Sequence, residues 1–313
     1  MRLEFCDKKI NFGDTLNEWL WPKIIDAEFK DNDQSFFLGI GTILTSKRIK
    51  EIETKGAKQV TVFSPGTWGT EPILLKDKKW KFYGVRGPRT AKALGLTEDF
   101  ITGDGAYLLR NFYPDSDQKG KAIGFIPHHG SEIFVDWSDI CQKAGLKYIS
   151  PQQQPENFIS DLYECESVIT EAMHGAIAAD ALRIPWKAVK FSPSFSSFKW
   201  YDWAEALNIE LNIHDLPFLV DGRRVPLNRI LEDFFKYYAN KILLKKESKR
   251  LNVYHQKRLC KNHKDALVNK LIELKTSYYQ LSDTKDLTRI TDKLNATVKQ
   301  LNQDIKNGVV RSN

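Results

Sequence analysis

"WKFYGVRGPRTAKALGL", Trp80 to Leu96, changes character part-way along. "WKFY" reads as a short strand and Gly84-Val85-Arg86-Gly87-Pro88 as a tight turn. The rest is a helix with Pro88 in its first turn, where a missing N–H costs nothing. A strand that feeds straight into a helix is the unit of a layered α/β domain. The neighbouring sequence repeats the pattern. "FFLGIGTIL" (36–44) is an apolar run broken by glycines, and "KQVTVFSPGTWG" (58–69) is a Val/Phe strand ending in a Pro-Gly loop. "FITGDGAYLL" (100–109) is another strand-to-loop junction. Short apolar runs alternating with helical segments predict strands buried on both faces of a mostly parallel sheet. Functional loops then belong at the carboxyl ends of the strands.

A second cycle opens at "KAIGFIPHH" (121–129), after the polar stretch "YPDSDQKG" (113–120). It runs through "SDICQKAGLKYISP" (138–151), "NFISDLYECESVITEAMHG" (157–175) and "IPWKAVKFSP" (184–193). "KWYDWAEALNI" (199–209) and "PLNRILEDFFKYYANKILLKK" (226–246) read as closing helices, the second able to cross back onto the first half. The expectation is an N-terminal Rossmann-like domain over residues 1–116, a second over 117–245 and a helical appendix over 246–313, with a cleft between the two α/β domains. In the appendix, Leu267, Leu271, Leu274, Tyr278 and Leu281 share one helical stripe. Leu287, Ile290, Leu294, Val298, Leu301 and Ile305 share another. An antiparallel helical hairpin is the simplest picture, and packing onto the chain's own domains or dimerisation is open at this level.

At 313 residues, 42% of them hydrophobic and 28% charged, the chain has the composition of a globular protein large enough for two domains. No apolar run is long enough for a transmembrane helix or a signal peptide. The four cysteines (Cys6, Cys141, Cys165, Cys260) form no CxxC pair, so free thiols in a reducing cytoplasm are expected rather than structural zinc. The net charge of +7 is uneven. Residues 241–313 hold 17 Lys/Arg against 7 Asp/Glu, and the remainder is slightly acidic. That tail reads either as a solvated helical face or as a surface drawn to anionic lipid at the inner face of the cell membrane. No nucleic-acid reading module accompanies it.

Several residues carry possible chemistry. His174, in "ITEAMHGAIAADALRIPW" (169–186), starts an Ala-rich helix directly after a strand, where exposed amides favour an anion and an imidazole titrates near neutral pH. Asp14, in "NFGDTLNEWLWP" (11–22), is either a helix cap or a cleft carboxylate able to deprotonate a hydroxyl. Arg86 and Arg89 follow a strand, placed for a bidentate pair with carboxylate or phosphate. Ser64, Gly66 and Thr67 form a small backbone cradle. His128 and His129 end the first strand of the second half, more as anion or substrate contacts than as metal ligands, and no metal is expected. A third Gly for a dinucleotide fingerprint, a Walker loop and a GxSxG elbow are all missing, which steers away from NAD, ATP hydrolysis and acyl transfer.

Taken together, "NFGDTLN", "GIGTIL", "GVRGPRTAKALG", "GDGAYLL", "IPHH" and "ITEAMHGAIAADALRIPW" resemble the polysaccharide pyruvyl transferase family, in the branch acting on bacterial exopolysaccharides. The resemblance spans most of residues 8–205 and leaves out the appendix. It implies a GT-B-like pair of Rossmann-like domains. It also implies transfer of the enolpyruvyl carbons of phosphoenolpyruvate to two hydroxyls of one sugar, giving a cyclic ketal and phosphate without a cofactor. Under that reading His174 and Asp14 are catalytic, while Arg86, Arg89, Ser64, Gly66, Thr67, His128 and Lys190 hold the donor. Asn11, Asn17, His129 and Glu171 face the acceptor saccharide, in free or polyprenyl-pyrophosphate-linked form. One departure stands out: many members carry an arginine two residues before the histidine, and here that place is Ala172. The rivals are a nucleotide-sugar glycosyltransferase, with Asp180 as ribose ligand, and a non-catalytic sugar- or membrane-binding assembly protein.

Overall fold

Two parallel sheets organise the computed structural model, which describes residues 1–6, 10–31, 33–73, 75, 79–113, 120–221, 224, 231, 235 and 261–311. The first contains β1 (Arg2–Leu3), β2 (Ser35–Leu38), β3 (Gln59–Val62) and β4 (Trp80–Phe82), side by side in chain order. β2 and β3 are buried along their whole length, as strands covered on both faces must be. The second contains β5 (Ala122–Ile126), β6 (Lys147–Tyr148), β7 (Cys165–Thr170), β8 (Trp186–Lys190) and β9 (Ile213–Asp215). Its order is β6-β5-β7-β8-β9, with every neighbouring pair parallel. The order therefore reverses between β5 and β7. Loops leaving the carboxyl ends of those two strands diverge there, opening the crevice in which parallel α/β sheets hold ligands.

The helices between strands fall where the sequence pattern puts them. They are α1 (Phe12–Ile24), α2 (Ser46–Thr54), α3 (Pro88–Leu94), α4 (Trp137–Ala144), α5 (Pro155–Tyr163), α6 (Met173–Ala181) and α7 (Ser197–Ala206), with a 3₁₀ segment over Gly105–Asn111. α6 is apolar all round, and every residue but His174 is buried, which fits a helix enclosed between the sheets. α1 packs on α5 and α6, with Phe12 stacked on Phe158 at 4.1 Å, so the first helix of the N-terminal half lies against the second half. One hydrophobic core accordingly runs through both halves, from Leu16, Leu20 and Trp21 to Ile177, Trp186, Trp200 and Trp203.

The C-terminal helices depart from the expected hairpin. α8 (Lys261–Lys275) buries Leu267, Leu271 and Leu274 in a core shared with α4, whereas α9 (Thr284–Lys306) buries Leu287, Ile290, Leu294, Leu301 and Ile305 in the core common to both sheets. Each stripe had a closer apolar surface on the chain's own domains than on the other helix. Tyr278, read as part of the first stripe, is 80% exposed beyond the end of α8. α9 spans the molecule: Asp286 accepts from Asn208 and Arg289 donates to the Ala206 carbonyl in the second half. Asn302 donates to the Ile24 carbonyl and Asp304 accepts from Tyr83 in the first. Most of the closing helix expected over 226–246, of which Leu231 and Phe235 are described and helical, lies outside the described residues, as do the most basic stretch, 241–260, and most of the polar stretch 113–120. No helix among the described residues is long and apolar enough to cross a membrane.

Candidate active site

His174 is the second residue of α6, two positions beyond the N-cap Ala172, which supplies no side-chain cap. Its ring lies on Gly13 at the start of α1. A β-carbon added to Gly13 would stand 2.0 Å from Nδ1, so only glycine lets the imidazole occupy this place. On the ring's other nitrogen, Nε2 faces Asp104 Oδ2 at 3.6 Å. Asp104 is fully buried; its second oxygen accepts from the Ala106 amide, while Oδ2 and Nε2 have no hydrogen bond of their own. Burial works to raise the Asp104 carboxyl, but His174 and then Arg86 outweigh it and hold it below the usual carboxylate range. An ionised Asp104 keeps a proton on Nε2 and leaves Nδ1 as the working nitrogen. Asp104 and His174 form the carboxylate–imidazole arrangement by which a base is oriented.

Asp14 sits one residue beyond Gly13, in the first turn of α1, and is not a helix cap. Its Oδ2 accepts from the Asn11 side-chain amide at 2.8 Å. Burial raises its carboxyl, against the pull of Asn11, His174 and Lys199. A carboxylate made more basic beside an imidazole is suited to taking a proton from a hydroxyl.

Lys199 is the candidate site residue that the sequence reading missed. It stands in the first turn of α7, where the helix dipole disfavours a cation. Its side chain is half-buried, and among the described residues its ammonium has neither a hydrogen bond nor an ion pair. Its partner is the Trp68 ring, 5.7 Å away. Burial and the nearby Arg86 pull it down to about 8, with Glu171 and Asp14 opposing. A desolvated, unpaired ammonium within electrostatic reach of Asp14, Glu171 and His128 is a ready anion site. The one available sequence signal was a lysine three residues after Ser196 at the start of an aromatic helix.

The crevice between β5 and β7 is held open by Glu171. Its Oε2 accepts from the His128 amide after β5, and its Oε1 accepts from the Phe191 and Ser192 amides after β8. His128 is pushed well below its ordinary value by burial, Lys199 and His129, and its Nδ1 accepts from the Gly130 amide. It is therefore a neutral ring with its proton on Nε2, a hydrogen-bond donor beside Lys199. The His129 ring lies against it, tilted by 38° with ring centroids 4.2 Å apart.

His174, Asp104 and Asp14 sit inside residues 9–189, the stretch that matches the family model described as polysaccharide pyruvyl transferase, and Lys199 follows on the helix after it. The chain belongs to the polysaccharide pyruvyl transferase family. It is 33% identical over 228 residues to the succinoglycan biosynthesis protein ExoV of Rhizobium meliloti, a match covering 72% of this chain and 68% of that protein. It is 24% identical over 235 residues to an uncharacterized protein of Acanthamoeba polyphaga mimivirus, covering 66% of this chain and 75% of that one. No solved structure matches the chain.

Within this pyruvyl transferase, several expected ligand contacts are corrected. Arg86 is fully buried. It donates from Nε to Asp202 Oδ2 at 2.9 Å and from Nη1 to Thr42. The cradle of Ser64, Gly66 and Thr67 wraps this guanidinium rather than a ligand. A β-carbon on Gly66 would lie 2.2 Å from it, the Thr67 carbonyl accepts from it, and the Ser64 hydroxyl is spent on the Gly39 carbonyl. Arg89 pairs with Glu205, and Lys190 with Asp215 at 3.3 Å on the surface. Asn17 is buried and used up internally, accepting from Trp21 and the Ile40 amide and donating to the Asp14 and Ile40 carbonyls. Glu171 is a clamp between loops. Asn11 reaches the site through Asp14. Asp180, offered as a ribose ligand, is fully buried and accepts from Tyr107, Trp186 and both the amide and hydroxyl of Ser282. That role is therefore closed. Among the described residues no group of three or more His, Cys, Asp or Glu is clustered as a metal site requires.

Proposed function

We propose that the chain transfers the enolpyruvyl carbons of phosphoenolpyruvate to two hydroxyls of one sugar in an exopolysaccharide unit, forming a cyclic pyruvate ketal and releasing phosphate. The observation that carries this reading is the unpaired Lys199 ammonium, set beside a neutral His128 donor and across from the Asp104–His174 pair and Asp14. It offers a fixed cation for a small polyanion, next to groups that move protons. Family membership supplies the class of reaction, and the succinoglycan relative points to an exopolysaccharide acceptor.

The chemistry asks for few parts. Protonation of C3 of the enol builds oxocarbenium character at C2, which one sugar hydroxyl attacks while giving its proton to Asp14. The C2–O bond to phosphate then breaks, the second hydroxyl closes the ring as it returns a proton to His174, and the proton taken by Asp14 leaves with the phosphate. His174, carrying a proton on each nitrogen when charged, serves as the acid, with Asp104 stabilising the cation. Lys199 takes the place that the arginine before the histidine fills in many members, because Ala172 has no charge to offer. Phosphate release from phosphoenolpyruvate across a panel of saccharides tests the proposal. Acceptor-dependent release supports it, and consumption of nucleotide-sugars with phosphoenolpyruvate untouched defeats it.

A further inference from the structure

Of the eight tryptophans in the chain, Trp68 alone is exposed, with 52% of its surface open. A loop that leaves so large an apolar side chain in water forgoes its burial. The loop is not loose. Ser64, Gly66 and Thr67, just before the tryptophan, are buried; the Thr67 amide donates to the Thr90 hydroxyl, and Gly66 is seated on Arg86. The indole is thus presented from braced backbone, at the carboxyl end of β3. Lys199 lies 5.7 Å from its ring centroid, which puts Trp68 one side chain away from the cation whose field reaches Asp14, Glu171 and His128.

Resting on the function proposed above, we infer that Trp68 is the stacking platform for the acceptor sugar. A pyranose has an apolar face of C–H groups and a rim of hydroxyls. An indole takes that face by area and by the attraction of polarised C–H groups to its π-cloud, a large contact at little cost in side-chain freedom. A ring laid on Trp68 carries its hydroxyls toward Asp14, the proton acceptor, while the donor's charge is held at Lys199. Trp68 therefore sets acceptor affinity and reaches the donor only through its contact with Lys199.

The test compares wild type with Trp68→Ala and Trp68→Phe, using phosphoenolpyruvate and soluble, lipid-free gluco- and galacto-oligosaccharides. Saturation-transfer NMR reads sugar binding without turnover, and calorimetry reads phosphoenolpyruvate binding. Trp68→Ala is expected to lose the sugar signal and raise the acceptor KM by about tenfold or more, the scale of a truncated aromatic anchor. Trp68→Phe should keep part of both and the ring contact to Lys199, and donor affinity should change less than the acceptor KM in either variant. Sugar binding or acceptor KM unaltered in Trp68→Ala overturns the assignment. So does wild type that binds no saccharide of the panel. Sugar binding lost in Trp68→Ala without any phosphate release by wild type keeps the platform and sinks the pyruvyl transfer.

Discussion

His174 owes its position to three neighbours: the glycine beneath its ring, the buried carboxylate behind Nε2 and the helix start, without a side-chain cap, that carries it. His174→Ala should fold normally by circular dichroism and lose about a hundredfold or more in kcat, the scale of a general acid. Asp104→Asn, which keeps the shape and removes the orienting charge, should also lower kcat while leaving the acceptor KM close to wild type. A second prediction uses Lys199. Its ammonium, brought down to about 8, is charged below that pH and neutral above it, so kcat/KM for the donor should fall as pH rises through about 8. Asp14 must be ionised to accept a proton, and its raised carboxyl moves the acid limb above the ordinary carboxylate value. Lys199→Arg, which does not titrate in this range, should flatten the alkaline limb; a limb that stays in place assigns it to another group. The places of His174 and Asp14, each in the first turn of a helix, were legible because such junctions are readable from local sequence. Asp104 and Lys199 were not, because their roles come from burial and from contacts across halves that no local pattern encodes.

Two arginines three residues apart, Arg86 and Arg89, meet two carboxylates three residues apart on α7, Asp202 and Glu205. The pairs look alike in sequence and differ in energy. Asp202 also accepts from the amide and hydroxyl of Thr90, and both it and Arg86 are fully buried. Removing one partner there strands a charge, so Arg86→Ala should cost about 3–5 kcal/mol of stability. Arg89 and Glu205 are more than a third exposed, and Arg89→Ala should cost about 1 kcal/mol or less. Chemical denaturation of both variants reads the contrast, and equal losses contradict it. Strands, helices and their order were readable from apolar runs and turns, since those signals are local. That Arg86 binds the chain's own carboxylate was not, because a buried arginine and a ligand-binding arginine share the same loop signature.

At the scale of the molecule, α9 and the shared core make the two halves one mechanical unit. Leu294→Ala, in the middle of α9 and fully buried, should cost about 2–5 kcal/mol and lower a single melting transition rather than split it. Two separated transitions in calorimetry contradict a common core. The apolar stripe of α9 was visible in the sequence; its partner was not, since periodicity fixes which face is buried and says nothing of what covers it. This closed frame fixes the distance between Asp14 on one half and His174 and Lys199 on the other, and so the site's ability to hold donor and acceptor together. The most direct test of that site's purpose follows the donor's own carbon. Phosphoenolpyruvate labelled with carbon-13 at C2 is incubated with the enzyme and a saccharide acceptor and watched by NMR. The label should move into a quaternary ketal carbon bonded to two sugar oxygens, at a rate matching phosphate release and lost in His174→Ala. Label that emerges as free pyruvate, or stays in phosphoenolpyruvate while the sugar is modified by another donor, contradicts the account.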